Sequence, residues 1–453
     1  MKHRTWVAVL LIAGLWAQPA SAQLLGGLLG GGSSSKGSSS TSPAGPTGGV
    51  IVRTLLGRVG LDLVCLLNGC SVAENLDGGL NQVFLVKPKS GLLPSVLVGV
   101  LQLVTGILDA EVDQVANIPR TPATITTLPT GLYQQWPVNY YGTSVWYGYA
   151  SQPAAQIINL STAQGSFNVS GSGIVADIDT GVDPNHPALK PVLLAGYDFT
   201  RNQSGASELL DLNGYQASTC TSCQPAYVNQ SSAAMLDQSS AAMLDGSPYS
   251  AFGHGTEVMG VIHLVAPTAK LLPLKAFQAN GQANLSDIIR AIYYAVQNNA
   301  NVINMSFDMT SGSTELSDAL NYATSHKVVC IASAGNDGED EIVYPAAMQS
   351  SVAGVASTND LDQRSSFSNY GDQVVWLAAP GEQIVTTYPF GTYAAASGTS
   401  FSSPFVAGTA DLFFNLKGSV TQSQAESALT HEQYVGPNMG YGRLDVFRTL
   451  NGK

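Results

Sequence analysis

A chain of 453 residues, 45% hydrophobic and only 11% charged, has the apolar content for a large buried core and is not a disordered protein. Its formal net charge of −12 argues against a nucleic-acid footprint, because phosphate binding requires clustered Lys and Arg.

The first residues read as an export signal. Lys2, His3 and Arg4 precede the apolar run Trp6 to Trp16, and Ala20-Ser21-Ala22 offers small residues for cleavage. A membrane span needs about 20 apolar residues, so residues 1–22 are expected to be removed and the protein to be secreted, extracellular or periplasmic. Of five cysteines, Cys220 and Cys223 lie in a polar loop, where a local disulfide is favoured over zinc because no second ligand pair follows. Cys330, in the apolar stretch "KVVCIASAG", reads as a buried thiol. Cys65 and Cys70 stay open.

Residues 23–49 are Gly/Ser-rich and read as a flexible linker. Residues 50–115 follow the order strand "VIVRTLL", helix "GLDLVCLLNG", strands near "SVAENL" and "QVFLVKP", helix "SVLVGVLQLV" and strand "GILDAEVDQ". That is a small α+β unit of β-α-β-β-α-β form. Pro94 opens the apolar run Leu92 to Leu108, which Ser, Gly and Gln interrupt, so it reads as a packed helix and strand. Residues 116–139, Pro/Thr-rich at first, are expected to be an exposed and cleavable linker.

In residues 140–453, apolar strands such as "GIVADID", "NVINMSF" and "VVCIASA" alternate with helical segments such as "LSDIIRAIYYAVQNN". Near-continuous apolar strands between helices predict a doubly wound parallel sheet covered on both faces, with chemistry at the carboxyl ends of its strands. The tandem repeat "QSSAAMLDQSSAAMLD", Gln230 to Asp245, reads as a duplication in a tolerant surface loop.

Four positions carry candidate chemistry. Asp179 ends a strand just before Thr180-Gly181, where its carboxylate can orient an imidazole. His254 stands between two glycines at a helix start; His3, His186, His263, His326 and His431 have ordinary signal, turn, surface or capping explanations. Asn336 follows the strand "IASAG" and can offer an amide to a developing oxyanion. Ser400, in "SGTSFSSPFVAG", precedes a helix whose unpaired N–H groups favour negative charge.

The blocks "VADIDTGVDPNHP", "GHGTEVMG", "NVINMSF", "SAGNDG", "YPAAM", "SGTSFSSPFVAG" and "GYGRLDV" resemble those of the subtilisin-like serine peptidases, the subtilases. The resemblance covers Tyr140 to the C-terminus. It implies a subtilisin-like fold and a serine endopeptidase with Ser400 as nucleophile, His254 as base, Asp179 as its partner, and Asn336 with the Ser400 N–H as oxyanion hole. Ser402 and Ser403 would be structural, and Pro404 would mark the helix start. Protein or peptide substrates would lie along "INMSFD", against Ser306, Phe307, Asp308, Ala334 and Gly335.

Two departures stand out. Glu257 replaces a second histidine and is expected to face solvent, and Asp308 and Met309 replace glycines of the specificity pocket. An inward Asp308 favours Lys or Arg in the substrate; one turned away leaves Met309 to narrow the pocket. Residues 50–115 resemble subtilase propeptides, which chaperone and inhibit, so the protein's own propeptide is an expected partner. No cofactor is implied for the chemistry; structural calcium is common in the family, but no ligand set is assigned. Two rivals remain: the sedolisins, disfavoured by the intact Gly-His-Gly-Thr, and a decayed peptidase scaffold that acts as a secreted binding protein.

Overall fold

A computed structural model describes residues 48–119, 129–212, 236–237, 249–430 and 432–452. The first elements are β1 (Val50–Thr54), α1 (Gly57–Asn68), β2 (Cys70–Asn75), β3 (Val83–Pro88), α2 (Pro94–Leu101) and β4 (Ile107–Val112), in the predicted order. Their antiparallel sheet runs β2-β3-β1-β4. A disulfide joins Cys65 in α1 to Cys70 in β2, which answers the question left open by those two residues. Pro94 opens α2, where its missing N–H has no helical partner to lose.

The next stretch differs from expectation. Residues 116–119 do not begin an exposed linker: Val115–Asn117 form β5, and Ala116 is buried. A hairpin, β6 (Pro137–Tyr140) and β7 (Thr143–Trp146), and three short helices, α3 (Tyr147–Ala150), α4 (Pro153–Ile157) and α5 (Leu160–Phe167), lead to the main sheet.

The main sheet takes its strands from β8 (Ile174–Asp179), β9 (Tyr197–Asp198), β10 (Gln203–Ser204), β12 (Lys270–Lys275), β14 (Val302–Met305), β15 (Val329–Ser333), β16 (Ala353–Thr358) and β17 (Leu377–Pro380). Between these come β11 (Leu236–Asp237) and β13 (Gln282–Asn284), and after them β18 (Ile384–Tyr388) and β19 (Thr392–Ser397). The helices are α6 (His254–Val265), α7 (Leu285–Gln297), α8 (Thr314–Ser325), α9 (Thr399–Lys417), α10 (Gln422–Ala428) and α11 (Val446–Asn451).

Spatial order is β10-β9-β12-β8-β14-β15-β16-β17, parallel except at β10. The chain leaves β8 for β12 on one side and then crosses to β14 on the other. Strand order therefore reverses beside β8, which is where a doubly wound sheet opens a crevice at its carboxyl edge. Residues of α6 and α9 fill one apolar core, and residues of α7 and α8 fill the core on the opposite face.

Side chains at the back of α9 fix the entry to β8. Asn415 Oδ1 accepts from the N–H groups of Ser170 and Gly171 at 3.1 and 3.2 Å. Asp411 accepts from those of Ser172 and Gly173 at 3.1 and 2.9 Å. The α+β segment is joined to the second core face by ion pairs, Arg53–Glu315 at 2.7 Å and Arg290–Glu74 at 2.9 Å. It also covers two helix starts: Asp113 accepts from Ser286 N and Oγ at 2.9 and 2.8 Å at α7, and Glu111 accepts from Ser313 Oγ and Thr314 N at α8.

Among the described residues no helix is long and apolar enough to cross a membrane, and no group of three or more His, Cys, Asp or Glu is arranged to hold a metal ion. The expected Cys220–Cys223 disulfide lies outside the described residues, as does the 230–245 repeat except for β11, which pairs with β19. Because truncating Asp411 leaves the buried Gly173 N–H unpaired and turns the more exposed Ser172 N–H to water, Asp411→Ala is expected to cost about 1–3 kcal/mol. Denaturant unfolding checks this; a change below about 0.5 kcal/mol would contradict the assigned role.

Candidate active site

Asp179 is the last residue of β8, and His254 the first of α6. What brings them together is a close backbone approach: a Cβ on Gly255 would stand 2.0 Å from the Gly181 carbonyl, so only glycine lets α6 begin there. The His254 Nδ1 then lies 2.7 and 2.8 Å from the two Asp179 carboxylate oxygens. Both residues are buried. One carboxylate thus fixes the ring and its tautomer, leaving Nε2 toward the cleft.

Glu208 holds this corner from behind. It accepts from Gly253 N at 2.8 Å, Thr180 Oγ at 3.1 Å and Thr256 Oγ, so the turn after β8 and the start of α6 share one carboxyl group. Burial pushes that carboxyl up to about 8, against the hydrogen bonds it accepts. Lys275, also buried, donates to the Thr180 and Phe277 carbonyls and to Asp211 at 2.7, 2.8 and 2.8 Å.

Glu257 corrects an expectation. It is 4% exposed rather than solvent-facing, and its Oε1 has no partner. Every residue of α6 is buried, so no face of that helix meets water. Burial, followed by Glu208 and Asp179, pushes the Glu257 carboxyl well above its usual range. His186 and His263 are likewise buried: His186 Nε2 contacts the Thr392 carbonyl at 2.9 Å, and His263 Nδ1 contacts Tyr149 Oη at 2.9 Å. Burial lowers His263 to about 3.

Ser400 is the second residue of α9, whose first fourteen residues are all buried. Pro404 is the sixth residue of this helix, not its opening one. Proline there removes the N–H that the Ser400 carbonyl would otherwise accept, and Ser306 Oγ donates to that carbonyl instead, at 3.0 Å. Behind it runs a buried chain: Asn304 Nδ2 donates to Ser306 Oγ and to Asp177 at 3.0 and 2.9 Å, and Ser403 Oγ donates to Asn304 Oδ1 at 2.7 Å. Burial and then Asp179 push the Asp177 carboxyl well above its usual range.

Asn336 is oriented by α9 itself. Its Oδ1 accepts from Thr399 N and Oγ at 2.9 and 2.7 Å, which turns Nδ2 outward into the cleft. There Nδ2 donates to the Pro119 carbonyl at 3.1 Å. Residues 115–118 lie extended in the same cleft. β5 pairs antiparallel with β13; Asn117 exchanges hydrogen bonds with the Asp308 backbone at 3.0 and 2.9 Å, and Ile118 N donates to the Gly281 carbonyl at 2.9 Å. A peptide is thus held as a strand with one of its carbonyls on a side-chain amide, the kind of contact an oxyanion donor makes.

The remaining expected residues are close by but play different parts. Phe307 is fully buried against Phe277 at 5.0 Å, in the core rather than on the cleft wall. Ala334 is buried. Gly335 has φ +96°, and a Cβ there would stand 2.4 Å from Asn369 Nδ2 and 3.4 Å from Asp308 Oδ2. Ser400 Oγ points to the Ser306 carbonyl at 3.4 Å, and His254 Nε2 makes no hydrogen bond in this state. The His254 ring does sit 5.7 Å from that of Phe401, the next residue of α9.

Comparison with known proteins accords with this geometry. The pattern of the subtilase family matches residues 170–444, more than half the chain. The chain is 32% identical to thermitase of Thermoactinomyces vulgaris over 293 residues, 62% of this chain and 89% of thermitase. It is also 32% identical to a thermophilic serine proteinase of Bacillus sp. (strain AK1) over 61% of each chain. Subtilisin E of Bacillus subtilis (strain 168) is 37% identical over 212 residues, 44% of this chain and 55% of that one. The chain thus spans less than two thirds of the latter two relatives. With Asp179, His254, Asn336 and Ser400 on the carboxyl edge of a doubly wound sheet, this chain belongs to the subtilase family and is a subtilisin-like serine-type endopeptidase.

Proposed function

We propose that the protein is a secreted endopeptidase made as a self-processed precursor, with Asp179, His254 and Ser400 as its triad and residues 50–119 as its propeptide. The observation that carries this reading is the Pro119 carbonyl, held by Asn336 Nδ2 at 3.1 Å in the cleft beside Ser400. In such a cleft the segment lies as a substrate does, which makes Pro119–Arg120 the bond to be cut. Secretion is supported by the export-signal pattern of residues 1–22.

In this reading the chemistry runs through Ser400, His254 and Asp179. Rotation about its Cα–Cβ bond turns the Ser400 hydroxyl from the Ser306 carbonyl toward His254 Nε2, which takes the proton as Oγ attacks the peptide carbonyl. Asp179 stabilises the imidazolium through Nδ1. The negative oxygen of the tetrahedral intermediate is met by Asn336 Nδ2 and by the Ser400 N–H, one of the unpaired donors at the start of α9. His254 returns the proton to the leaving nitrogen, and the C–N bond breaks. Water, activated by the same imidazole, then hydrolyses the ester and restores the serine.

A fluorophosphonate probe is expected to label the mature protein once, at Ser400; persistent labelling of Ser400→Ala would place the nucleophile elsewhere. Asn336→Ala is expected to lower kcat by roughly 100- to 1,000-fold with little change in KM, the magnitude known for loss of an oxyanion-hole amide in the related subtilisin. Intact-mass analysis of the secreted form should give an N-terminus at Arg120, whereas Ser400→Ala should retain residues 50–119 uncut. A mature N-terminus well downstream of Arg120 would overturn the assigned cleavage point.

A further inference from the structure

Resting on the peptidase reading above, we propose that Asp308, backed by Asp337 and Glu341, makes this cleft select a cationic side chain, Lys or Arg, at the residue whose carbonyl is attacked. The docked segment shows where that residue stands. Asn336 holds the Pro119 carbonyl, and the Asp308 backbone pairs with Asn117, two residues earlier. The Asp308 carboxylate folds toward Gly335, its Oδ2 3.4 Å from where a Cβ on that glycine would be. It thus faces the wall next to the oxyanion donor, not the solvent beyond the cleft.

Two more carboxyl groups stand near it. Asp337 directly follows Asn336 and is held by Asn369, whose Nδ2 donates to it at 3.3 Å. Glu341 is carried by the loop that Tyr344 ties to Met309 through backbone hydrogen bonds of 2.8 and 2.9 Å. Among the described residues no Lys, Arg or His forms an ion pair with any of the three. Burial, then Asp337, then Glu341 push the Asp308 carboxyl up to about 7. Asp337 and Glu341 are themselves exposed, whereas Asp308 is partly withdrawn from water; a carboxylate so placed beside two others, with no described cation paired to it, is unfavourable, and a substrate ammonium or guanidinium relieves it.

Pro119 is not such a residue. It carries no charge and has no N–H for the edge beside Ser306. Its cleavage therefore relies on being tethered in place, at high effective concentration, rather than on the pocket. The propeptide can then occupy the cleft without the side chain for which this pocket is selective.

Peptides of the form Val-Ala-Asn-Ile-X, differing only at X and bearing a common leaving group, test the proposal on the mature protein. Arg or Lys at X is expected to exceed Leu or Phe in kcat/KM on the order of 30-fold, and Asp308→Asn is expected to abolish most of that ratio. A ratio cancels any general loss of activity in the variant. In the precursor, Pro119→Arg is expected to mature faster than Pro119→Leu, a comparison that does not require Asp308→Asn to fold. Preference for Leu or Phe, an Arg-to-Leu ratio unmoved by Asp308→Asn, or Pro119→Leu maturing as fast as Pro119→Arg overturns the inference while leaving the peptidase intact. Absence of cleavage at every X, together with no fluorophosphonate labelling, overturns both.

Discussion

The start of α9 is buried, and its polar groups can find partners only away from water, as all of its hydroxyls except that of Ser402 do. Pro404 sharpens this constraint by denying the Ser400 carbonyl its helical donor, and Ser306 meets it from the end of β14. The same demand ties Thr399 to Asn336 at the end of β15, and Ser403 to Asn304 within β14. Satisfying a buried helix end thus aligns the serine with two neighbouring strands, β14 and β15. Preorganised donors of this kind need no rearrangement when charge develops on the substrate.

A second consequence is electrostatic. Asp177, Glu208 and Glu257 surround the Asp179–His254 pair, and all three are pushed upward chiefly by burial. A protonated carboxyl can donate as well as accept. Glu208 can therefore bind the turn after Asp179 and the start of α6 without adding a second full negative charge beside the imidazole.

Much of the site was legible in the sequence because its signals are local. Asp179 before Thr-Gly, His254 between glycines, Asn336 after a strand and Ser400 before a helix each need only a few neighbours to be recognised. The α-β alternation likewise announced the sheet. Burial of α6 was not legible: a helix covered on all sides can carry Glu257 and His263 inward, and no period in the sequence distinguishes that from a surface stripe. Residues 116–119 were misread for a different reason. Their partners in β13 and at Asp308 lie more than 160 positions away, and a Pro/Thr-rich run beside them suggested a linker. Pro404 misled because the compensating donor, Ser306, comes from another strand.

Glu111 and Asp113 meet the N-terminal poles of α8 and α7. Ser313 also caps α8 from within, whereas Asn284 makes no such bond at α7. Assembly of the second core face and seating of the leading β-sheet are in this sense linked equilibria: whatever favours one raises the population of the other. Were that sheet to leave, the Ser286 N–H at the pole of α7 would lose the Asp113 carboxylate, and Asp287 would be the acidic residue left in that first turn.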